Sequence, residues 1–265
     1  QLRRSLGSRR GLYVDPFLML DEFYSDDPDD YLAGFPSHPH RGFETVTYML
    51  DGRMQHKDSG GNTGDLGPGD VQWMTAARGI IHSEMPQQSE GRMRGFQLWI
   101  NLPAREKMKP AAYRDIPSSE IPTVALAGGG EVRVIAGEFA QGGATTQGPI
   151  GGLSTDPRYF DVRLPAGAEL SIATPPRHNA FLYVYEGDGT VGDDARPLPY
   201  RAAGLLTPGD AVKLRAGTNG VRALFLAGKP IGEPVVQYGP FVMNSPEEIQ
   251  QALLDYQRGR LAAAG

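Results

Sequence analysis

The sequence predicts an all-β protein that contains two similar β units in tandem. Short runs rich in β-branched and aromatic residues, bounded by Gly and Pro, recur along most of its 265 residues. Each half also contains a strand-like run that ends in an acidic residue and Gly, followed by Pro-Gly-Asp and a further run. This pattern is typical of a sandwich or a barrel and not of alternating strands and helices.

Eight segments carry the strand signal most clearly, and they are spread over both halves. They lie at residues 43–50, 71–76, 96–102, 131–139, 159–164, 181–186, 211–215 and 221–226. The internal repeat relates residues 45–52 and 67–71 to residues 180–187 and 207–211. Because the same order of strand and turn occurs twice, we expect each half to form one β unit.

The two units are predicted to meet near residue 125. Residues 104–130 lack regular alternation, and they contain three prolines and a triple glycine, so we interpret them as the connection. Apolar residues that could anchor this connection are Tyr113, Ile116 and Ile121. The prediction is therefore a first domain at residues 1–125 and a second domain at residues 126–265.

One α-helix is signalled near the C-terminus, at about residues 246–258. Ser245 supplies an N-cap, Pro246 suits the first helical turn, and Glu248 completes a capping box. Apolar residues then follow at helical spacing, and Gly259 is a natural stop. We interpret this element as a packing helix without a catalytic role.

Charge and composition exclude several classes of function. The 31 Asp and Glu residues outnumber the 26 Lys and Arg residues, so the net charge is −5 and no basic surface for nucleic-acid phosphates is indicated. The arginine pairs Arg3-Arg4 and Arg9-Arg10 are therefore interpreted as a solvated edge. No cysteine is present, so any bound metal ion must use nitrogen and oxygen ligands.

The sequence also predicts a soluble, cytoplasmic protein. No run approaches the ~18 apolar residues that span a bilayer, and no signal-like start is visible. The chain lacks an initiator Met, so we expect it to start inside a longer gene product. An internal pair of β units is compatible with a monomer, which is the state we expect.

Two histidine-containing triplets are the strongest functional signal. Residues 38–40 read His-Pro-His, and residues 82–84 read His-Ser-Glu. If both triplets are extended, their first and third side chains point to one face, and two strands could aim three imidazoles and one carboxylate at one point. Either triplet alone could instead be a surface polar pair. Their combination favours a metal site.

Other residues with metal-like or catalytic chemistry have simpler interpretations. The acidic stretch at residues 26–30 lacks the spaced ligands and glycine of a calcium loop, so we interpret it as an exposed loop. His56 is interpreted as a hydrogen-bonded loop histidine, although it could orient a ligand. His178 is the only histidine of the second half, which therefore should not bind metal in this way. Side chains expected in the core, or else in a substrate pocket, are Trp73, Met74, Phe96 and Trp99.

Long segments around the triplets resemble the pirin family of cupins. Residues 34–52, GFPSHPHRGFETVTYMLDG, resemble the first cupin motif, and residues 69–86, GDVQWMTAARGIIHSEMP, resemble the second motif as it occurs in pirin. The likeness begins at residues 15–21 and runs through residues 96–103. It implies two tandem cupin domains, which are jelly-roll-like antiparallel β-barrels, with a metal site in the first.

The resemblance implies one iron ion held by His38, His40, His82 and Glu84. Many other cupins take their carboxylate from the position of Glu44, so Glu44 is the chief rival to Glu84. Imidazole and carboxylate would also suit Mn, Ni, Co, Cu or Zn. Three neutral imidazoles and one carboxylate would leave a divalent ion with one positive charge and, if octahedral, two open positions.

Similarity to bacterial pirin-like proteins implies a dioxygenase that opens the central ring of flavonols such as quercetin with O2. A deprotonated flavonol would bind the metal as an anion beside dioxygen, and ring opening would release carbon monoxide. By analogy with other cupin quercetinases, Glu84 would take the substrate proton as well as bind the metal. The partners would then be a small aromatic enol and O2.

Two other functions are compatible with the same residues. The first is a non-enzymatic, redox-sensing regulator, in which the oxidation state of bound iron changes the affinity for a protein partner. The second is a sugar-phosphate isomerase or a ligand-binding cupin, which predicts bound zinc and no oxygen uptake. Metal-dependent oxygen consumption with quercetin would distinguish the enzyme from both.

Overall fold

In a computed structural model the protein is almost entirely β-structure, as predicted. The structure describes residues 2–7 and 14–262. This part of the chain contains 22 β-strands, one α-helix and three short 3-10 helices, at Pro28–Asp30, Ala104–Glu106 and Ser118–Glu120. No helix among these residues is long and apolar enough to cross a membrane. Arg3 and Arg4 are exposed, whereas Arg9 and Arg10 lie outside the described residues.

The chain forms two compact units, and the first contains both ends of the described sequence. The first unit comprises residues 2–7, Phe17–Ser118 and residues 231–262, and the second comprises Val14–Pro16 and Ser119–Pro230. The junction after Ser118 falls close to the predicted boundary. Residues 231–262 differ from the prediction, because they belong to the first unit and not to the second.

The first unit is built on a six-stranded and a four-stranded antiparallel sheet. Its barrel strands are β1 Leu2–Leu6, β2 Phe17–Ser25, β3 Phe35–His40, β4 Phe43–Asp51, β5 Met54–Asp58, β6 Thr63–Leu66, β7 Val71–Thr75, β8 Ile80–Pro86, β9 Met93–Asn101 and β10 Ala112–Ile116. The sheet orders are β1-β2-β9-β4-β7-β10 and β3-β8-β5-β6. Strand β10 lies within the segment that was predicted to be an irregular connection. It pairs with β7 at the end of the six-stranded order and is therefore an edge strand.

The second unit is a single large sheet with a separate hairpin. Its strands are β11 Thr123–Ala125, β12 Glu131–Ala136, β13 Glu138–Gln141, β14 Ala144–Gln147, β15 Arg158–Leu164, β16 Glu169–Ala173, β17 Asn179–Val191, β18 Arg196–Leu198, β19 Ala203–Leu205 and β20 Ala211–Gly228. The order is β11-β12-β15-β20-β17-β18, with β16 on β20 and β19 on β17, while β13 pairs with β14. Its interior is an apolar cluster that includes the fully buried Phe160, Leu182 and Phe225.

Three predicted strands of the second unit have different limits in the structure. The predicted strand at residues 131–139 breaks at Gly137, which has a φ of +74° in the left-handed region. The predicted strands at residues 211–215 and 221–226 are two parts of the one long strand β20. The glycines between them permit irregular register against β17, so the strand continues where the sequence suggested a turn.

The C-terminal segment consists of strands β21 Val236–Tyr238 and β22 Phe241–Met243 and helix α1 Pro246–Gln257. The predicted helix is confirmed. The Ser245 side chain accepts a hydrogen bond from the backbone N–H of Glu248, and the Glu248 side chain accepts one from the backbone N–H of Ser245. Beyond the helix, Gly259 has a φ of +67°, as expected of a glycine stop.

Apolar and charged contacts explain why this segment joins the first unit. Ile249, Ala252 and Leu261 lie in one cluster, against which Ile81 of β8 packs. These contacts are remote in sequence, so a boundary drawn along the chain does not reveal them.

The close approach of β22 to the barrel depends on a glycine. Gly42 has a φ of +93°, and a Cβ atom there would lie 1.9 Å from the carbonyl oxygen of Val242. The neighbouring Arg41, which is almost fully buried, forms an ion pair of 2.8 Å with Asp255 of α1.

Lys107 is a buried hydrogen-bonding centre at this contact. Its Nζ donates to the carbonyl oxygens of Gly42 at 2.6 Å and Val242 at 3.0 Å, and to Asn101 Oδ1 at 2.6 Å. Burial lowers the pKa of Lys107 to about 8. At neutral pH the amine therefore still carries three protons, one for each acceptor.

Replacing Lys107 should destabilise the first unit. In Lys107→Met the three acceptors stay buried without a donor, so we expect the free energy of unfolding to fall by about 2–4 kcal/mol. Urea unfolding measures this, with Lys109→Met as the control. Lys109 makes a surface ion pair of 2.9 Å with Glu106, which should contribute no more than about 0.5 kcal/mol. Equal stability of the two variants would contradict this role of Lys107.

Candidate metal centre

The four-stranded sheet brings the two triplets together. His38 of β3 pairs with His82 of β8, and His40 lies opposite Ile80. Residues that pair across strands share a face, and side chains alternate along each strand. His38, His40, His82 and Glu84 therefore lie on one face of this sheet, and both triplets are extended, as the sequence predicts.

The imidazoles of His38, His40 and His82 form a compact group. One ring nitrogen from each lies within 4.8 Å of those of the other two. The ring centroids of His38 and His82 are 4.3 Å apart, and that of His40 is 4.7 Å from His38 and 4.9 Å from His82. His40 and His82 are each 2% exposed, whereas His38 is half-buried. This group could hold a metal ion, with access from the His38 side.

The free nitrogens of this group fit a metal ion. His38 Nδ1 donates to the carbonyl oxygen of Pro36 at 2.8 Å, so its Nε2 carries the lone pair. His82 Nε2 is buried without a hydrogen-bond partner, and neither ring nitrogen of His40 makes a hydrogen bond of normal geometry. Buried polar atoms are rarely left unpaired. A cation that accepts these lone pairs would satisfy them.

Burial keeps the inner histidines neutral. It lowers the pKa of His40 to about 3, and the neighbouring His38 acts in the same direction. Burial also lowers the pKa of His82 well below its usual range, with the nearby His40, His38 and His56 adding to the effect. A metal binds the neutral imidazole, so these rings are in the binding form at neutral pH.

Glu84 is held beside the histidines by the other sheet of the first unit. Its Oε1 accepts a hydrogen bond of 3.1 Å from Thr47 Oγ1 of β4, and its Oε2 accepts one of 3.1 Å from Gln97 Nε2 of β9. The residue is 2% exposed. Each carboxylate oxygen retains a further lone pair, so these hydrogen bonds leave Glu84 able to bind a cation.

Glu44, the rival carboxylate, lies on the opposite face of β4. Its Oε1 accepts a hydrogen bond of 2.7 Å from Thr75, which is its cross-strand partner on β7. Thr47 is three residues further along β4 and points to Glu84, so alternation places Glu44 on the other face. Burial raises the pKa of Glu44. Among the described residues the group of possible metal ligands comprises His38, His40 and His82, so neither Glu44 nor the predicted ligand Glu84 is part of it.

His56 belongs to the site, although the sequence suggested a loop histidine. It lies on β5 opposite Glu84, is fully buried, and its Nδ1 is 3.2 Å from His82 Nδ1. The buried residues Met54 and His56 alternate with the less buried Gln55 and Lys57. Alternation with a period of two residues indicates a strand at His56. The Gly-rich turn that follows closely favoured a loop instead.

Aromatic side chains line part of the site. The ring centroid of Trp99 lies 5.3 Å from that of His40 and 4.4 Å from that of Phe43. On another side, the Tyr113 ring is 5.6 Å from His56. Trp99 is half-buried beside His40, so it lines the site. The other residues predicted to lie in the core are at most 4% exposed, and they are Trp73, Met74 and Phe96.

The remaining sequence candidates lie apart from this group. Residues 26–30 include a single 3-10 turn whose aspartates are exposed, as predicted for a loop. In the second unit, His178 Nε2 lies 3.2 Å from Asp156 Oδ2. That the second unit lacks a metal site of this kind stays a prediction.

Comparisons with known proteins identify the family. Residues 1–100 match the family Pirin, and residues 159–262 match the pirin C-terminal cupin domain. The chain belongs to the pirin family. A Pseudomonas aeruginosa protein provisionally named a quercetin 2,3-dioxygenase is 57% identical over 265 residues, which cover 99% of this chain and 92% of that protein. A pirin-like protein of Caulobacter vibrioides is 52% identical over 260 residues, with coverages of 98% and 92%.

A solved structure confirms the cupin architecture. The crystal structure of a quercetin 2,3-dioxygenase from Acinetobacter baumannii matches with a TM-score of 0.86 and 36% identity, over 94% of this chain and 87% of that one. The predicted pirin-type fold of two cupin domains is thereby confirmed. The group of three histidines that could hold a metal ion lies in the first unit.

The carboxylate ligand can be identified by a matched pair of variants. We expect Glu84→Gln to weaken the binding of Ni²⁺ at least about 10-fold, because the amide lacks the negative charge of the ligand. Glu44→Gln should retain wild-type affinity, since the Glu44 carboxyl lies on the other face of β4, where it accepts a hydrogen bond from Thr75. Isothermal titration calorimetry measures both. Weaker binding by Glu44→Gln alone would reverse the assignment.

Proposed function

We propose that this pirin-family protein is a metal-dependent dioxygenase that cleaves quercetin or a related flavonol with O2. The observation that carries the proposal is the group of His38, His40 and His82, with buried nitrogens that lack partners. Relatives named as quercetin 2,3-dioxygenases, at 57% and 36% identity, support an oxidoreductase of this kind. The proposal extends from a possible metal centre to a particular substrate class.

One iron ion would be held by His38, His40, His82 and Glu84. A bound divalent ion would supply a positive charge and open positions for an oxygen-donor substrate and O2. The donor set suits Mn, Ni, Co, Cu and Zn as well, so the choice of iron rests on the resemblance to pirin. Burial of His40 and His82 limits the competition of water for the site.

Glu84 is suited to take the proton of the flavonol hydroxyl. Its Oε1 is hydrogen-bonded to the Thr47 hydroxyl, which can rotate and become an acceptor. A proton that arrives on Oε1 would therefore remain in a hydrogen bond without any movement of the strands. Meanwhile Oε2 stays fixed by the Gln97 amide. This pair of contacts lets the carboxyl change its protonation state in place.

The aromatic wall beside His40 would orient a planar substrate. The Trp99 ring lies next to His40 and packs against the fully buried Phe43. The indole Nε1 of Trp99 is buried without a hydrogen-bond partner, so it could donate to a substrate oxygen. A flavonol offers both a flat ring system and several oxygen acceptors, which matches these two features.

Turnover of quercetin is the decisive measurement. The iron-loaded protein should consume one O2 and release one carbon monoxide for each quercetin cleaved, and removal of the metal with a chelator should abolish both. An oxygen electrode and a carbon monoxide assay measure the ratio. Oxygen uptake should be tested in parallel with a panel of other chelating enols. No uptake by metal-loaded protein with any of them would contradict the enzyme and favour a regulatory role.

The base role of Glu84 predicts a loss of rate beyond any loss of metal. At saturating metal, Glu84→Gln should lower kcat at least about 100-fold, since general bases typically contribute that much or more. Glu44→Gln is the control and should keep its activity, because Glu44 lies on the other face of β4. Near wild-type kcat in metal-loaded Glu84→Gln would rule out the base role and leave a role as ligand.

A further inference from the structure

We propose that His56 is a positioning residue that holds His82 in the tautomer able to bind metal. This inference rests on the proposed function, because it requires a metal ion at the three histidines. The inference gives a role to His56, which is not one of the proposed ligands. It also specifies which ring nitrogens of His56 and His82 carry protons. The geometry of two adjacent strands carries it.

His56 and His82 form a buried pair inside the first unit. They lie on the neighbouring strands β5 and β8, and their Nδ1 atoms are 3.2 Å apart. Their ring centroids are 4.9 Å apart, with the planes inclined at 51°. His56 is 0% and His82 is 2% exposed, so water has little opportunity to replace this contact.

Two neutral imidazoles joined through Nδ1 can share their proton in two ways. If His82 donates from Nδ1, its Nε2 carries a lone pair that can bind metal. If His56 donates instead, His82 carries its proton on Nε2 and that atom cannot bind. His82 Nε2 is also buried without a partner, so it is the nitrogen left for a ligand. Metal binding therefore requires His56 to act as the acceptor.

The contrast with His38 shows why this contact matters. His38 Nδ1 faces the carbonyl oxygen of Pro36, and a carbonyl can only accept. That contact fixes the His38 tautomer without further help. The hydrogen-bond partner of His82 Nδ1 is another imidazole, which can accept or donate. The acceptor state of His56 is thus what selects the useful form of His82.

The same arrangement determines the other nitrogen of His56. When His56 accepts at Nδ1, its proton lies on Nε2, and that atom is buried without a hydrogen-bond partner. It therefore offers an N–H donor inside the barrel, near the ring of Tyr113. A substrate oxygen or a bound water is the acceptor that this donor would take.

The test compares zinc affinity in three variants with the wild-type protein. His56→Leu removes the acceptor, and we expect Zn²⁺ to bind 10- to 100-fold more weakly, about the range for lost supporting contacts. His56→Gln retains a carbonyl acceptor, and its affinity should return to within about threefold of wild type. His178→Leu, in the second unit, is the matched control and should not change it. Competition with a chromogenic chelator measures all four proteins.

Nitrogen NMR of the zinc-loaded wild-type protein reads the tautomers directly. We expect a proton on Nδ1 of His82 and on Nε2 of His56, and a proton on Nδ1 of His56 would overturn the inference. This measurement needs no variant, so it decides the matter even if His56→Leu fails to fold. Thermal unfolding of the metal-free proteins separates lost affinity from lost stability.

The outcomes distinguish the two proposals. If wild-type protein binds zinc and His56→Leu binds it equally well, the role of His56 is overturned while the metal site stands. Failure of the Gln variant to recover affinity, in a folded protein, would also overturn it. If the wild-type protein binds no stoichiometric zinc, and no other divalent ion, both proposals fall.

Discussion

The register of β3, β8 and β5 is the constraint on which the rest of the site depends. Pairing of His38 with His82, and of His56 with Glu84, brings these four side chains to one inner face. Because side chains alternate along a strand, a slip of one residue would turn a whole set away from the site. The C-terminal segment covers the chain beside His40, where Gly42 and Lys107 contact Val242.

Buried polar groups explain why the proposed metal site lies in the first unit. Its interior holds histidines and a carboxylate that accepts hydrogen bonds from Thr47 and Gln97, whereas the second unit contains a large apolar cluster. A buried nitrogen without a partner is unfavourable, and packing alone does not remove that penalty. The metal would complete the polar network that the protein leaves unfinished at His40 and His82.

The sequence predicted the triplets and the fold class because those signals are local. Alternation within residues 38–40 and 82–84 is enough to show which side chains share a face. The choice between Glu44 and Glu84 could not be made in the same way, since it depends on which face of β4 looks inward. His56 was missed because its strand is five residues long and leads into a Gly-rich turn.

Long-range contacts set the other limit on prediction. Residues 231–262 return to the first unit through apolar packing around Ile249 and the ion pair of Arg41 with Asp255. Contacts between residues so far apart in the sequence produce no periodic pattern of residue types that could reveal them. Strand β20 is a related case, because glycines inside a strand and glycines at a turn look alike until the neighbouring strand is known.

Charge balance narrows the substrates that this site would accept. A divalent ion, the Glu84 carboxylate and a singly charged enolate sum to zero, which suits a buried site. A phosphate ester would add a second negative charge and so require a nearby cation. The charged neighbours that shift the pKa values of His40, His56 and His82 include carboxylates and histidines. Electrostatics therefore favours a chelating enol over a sugar phosphate.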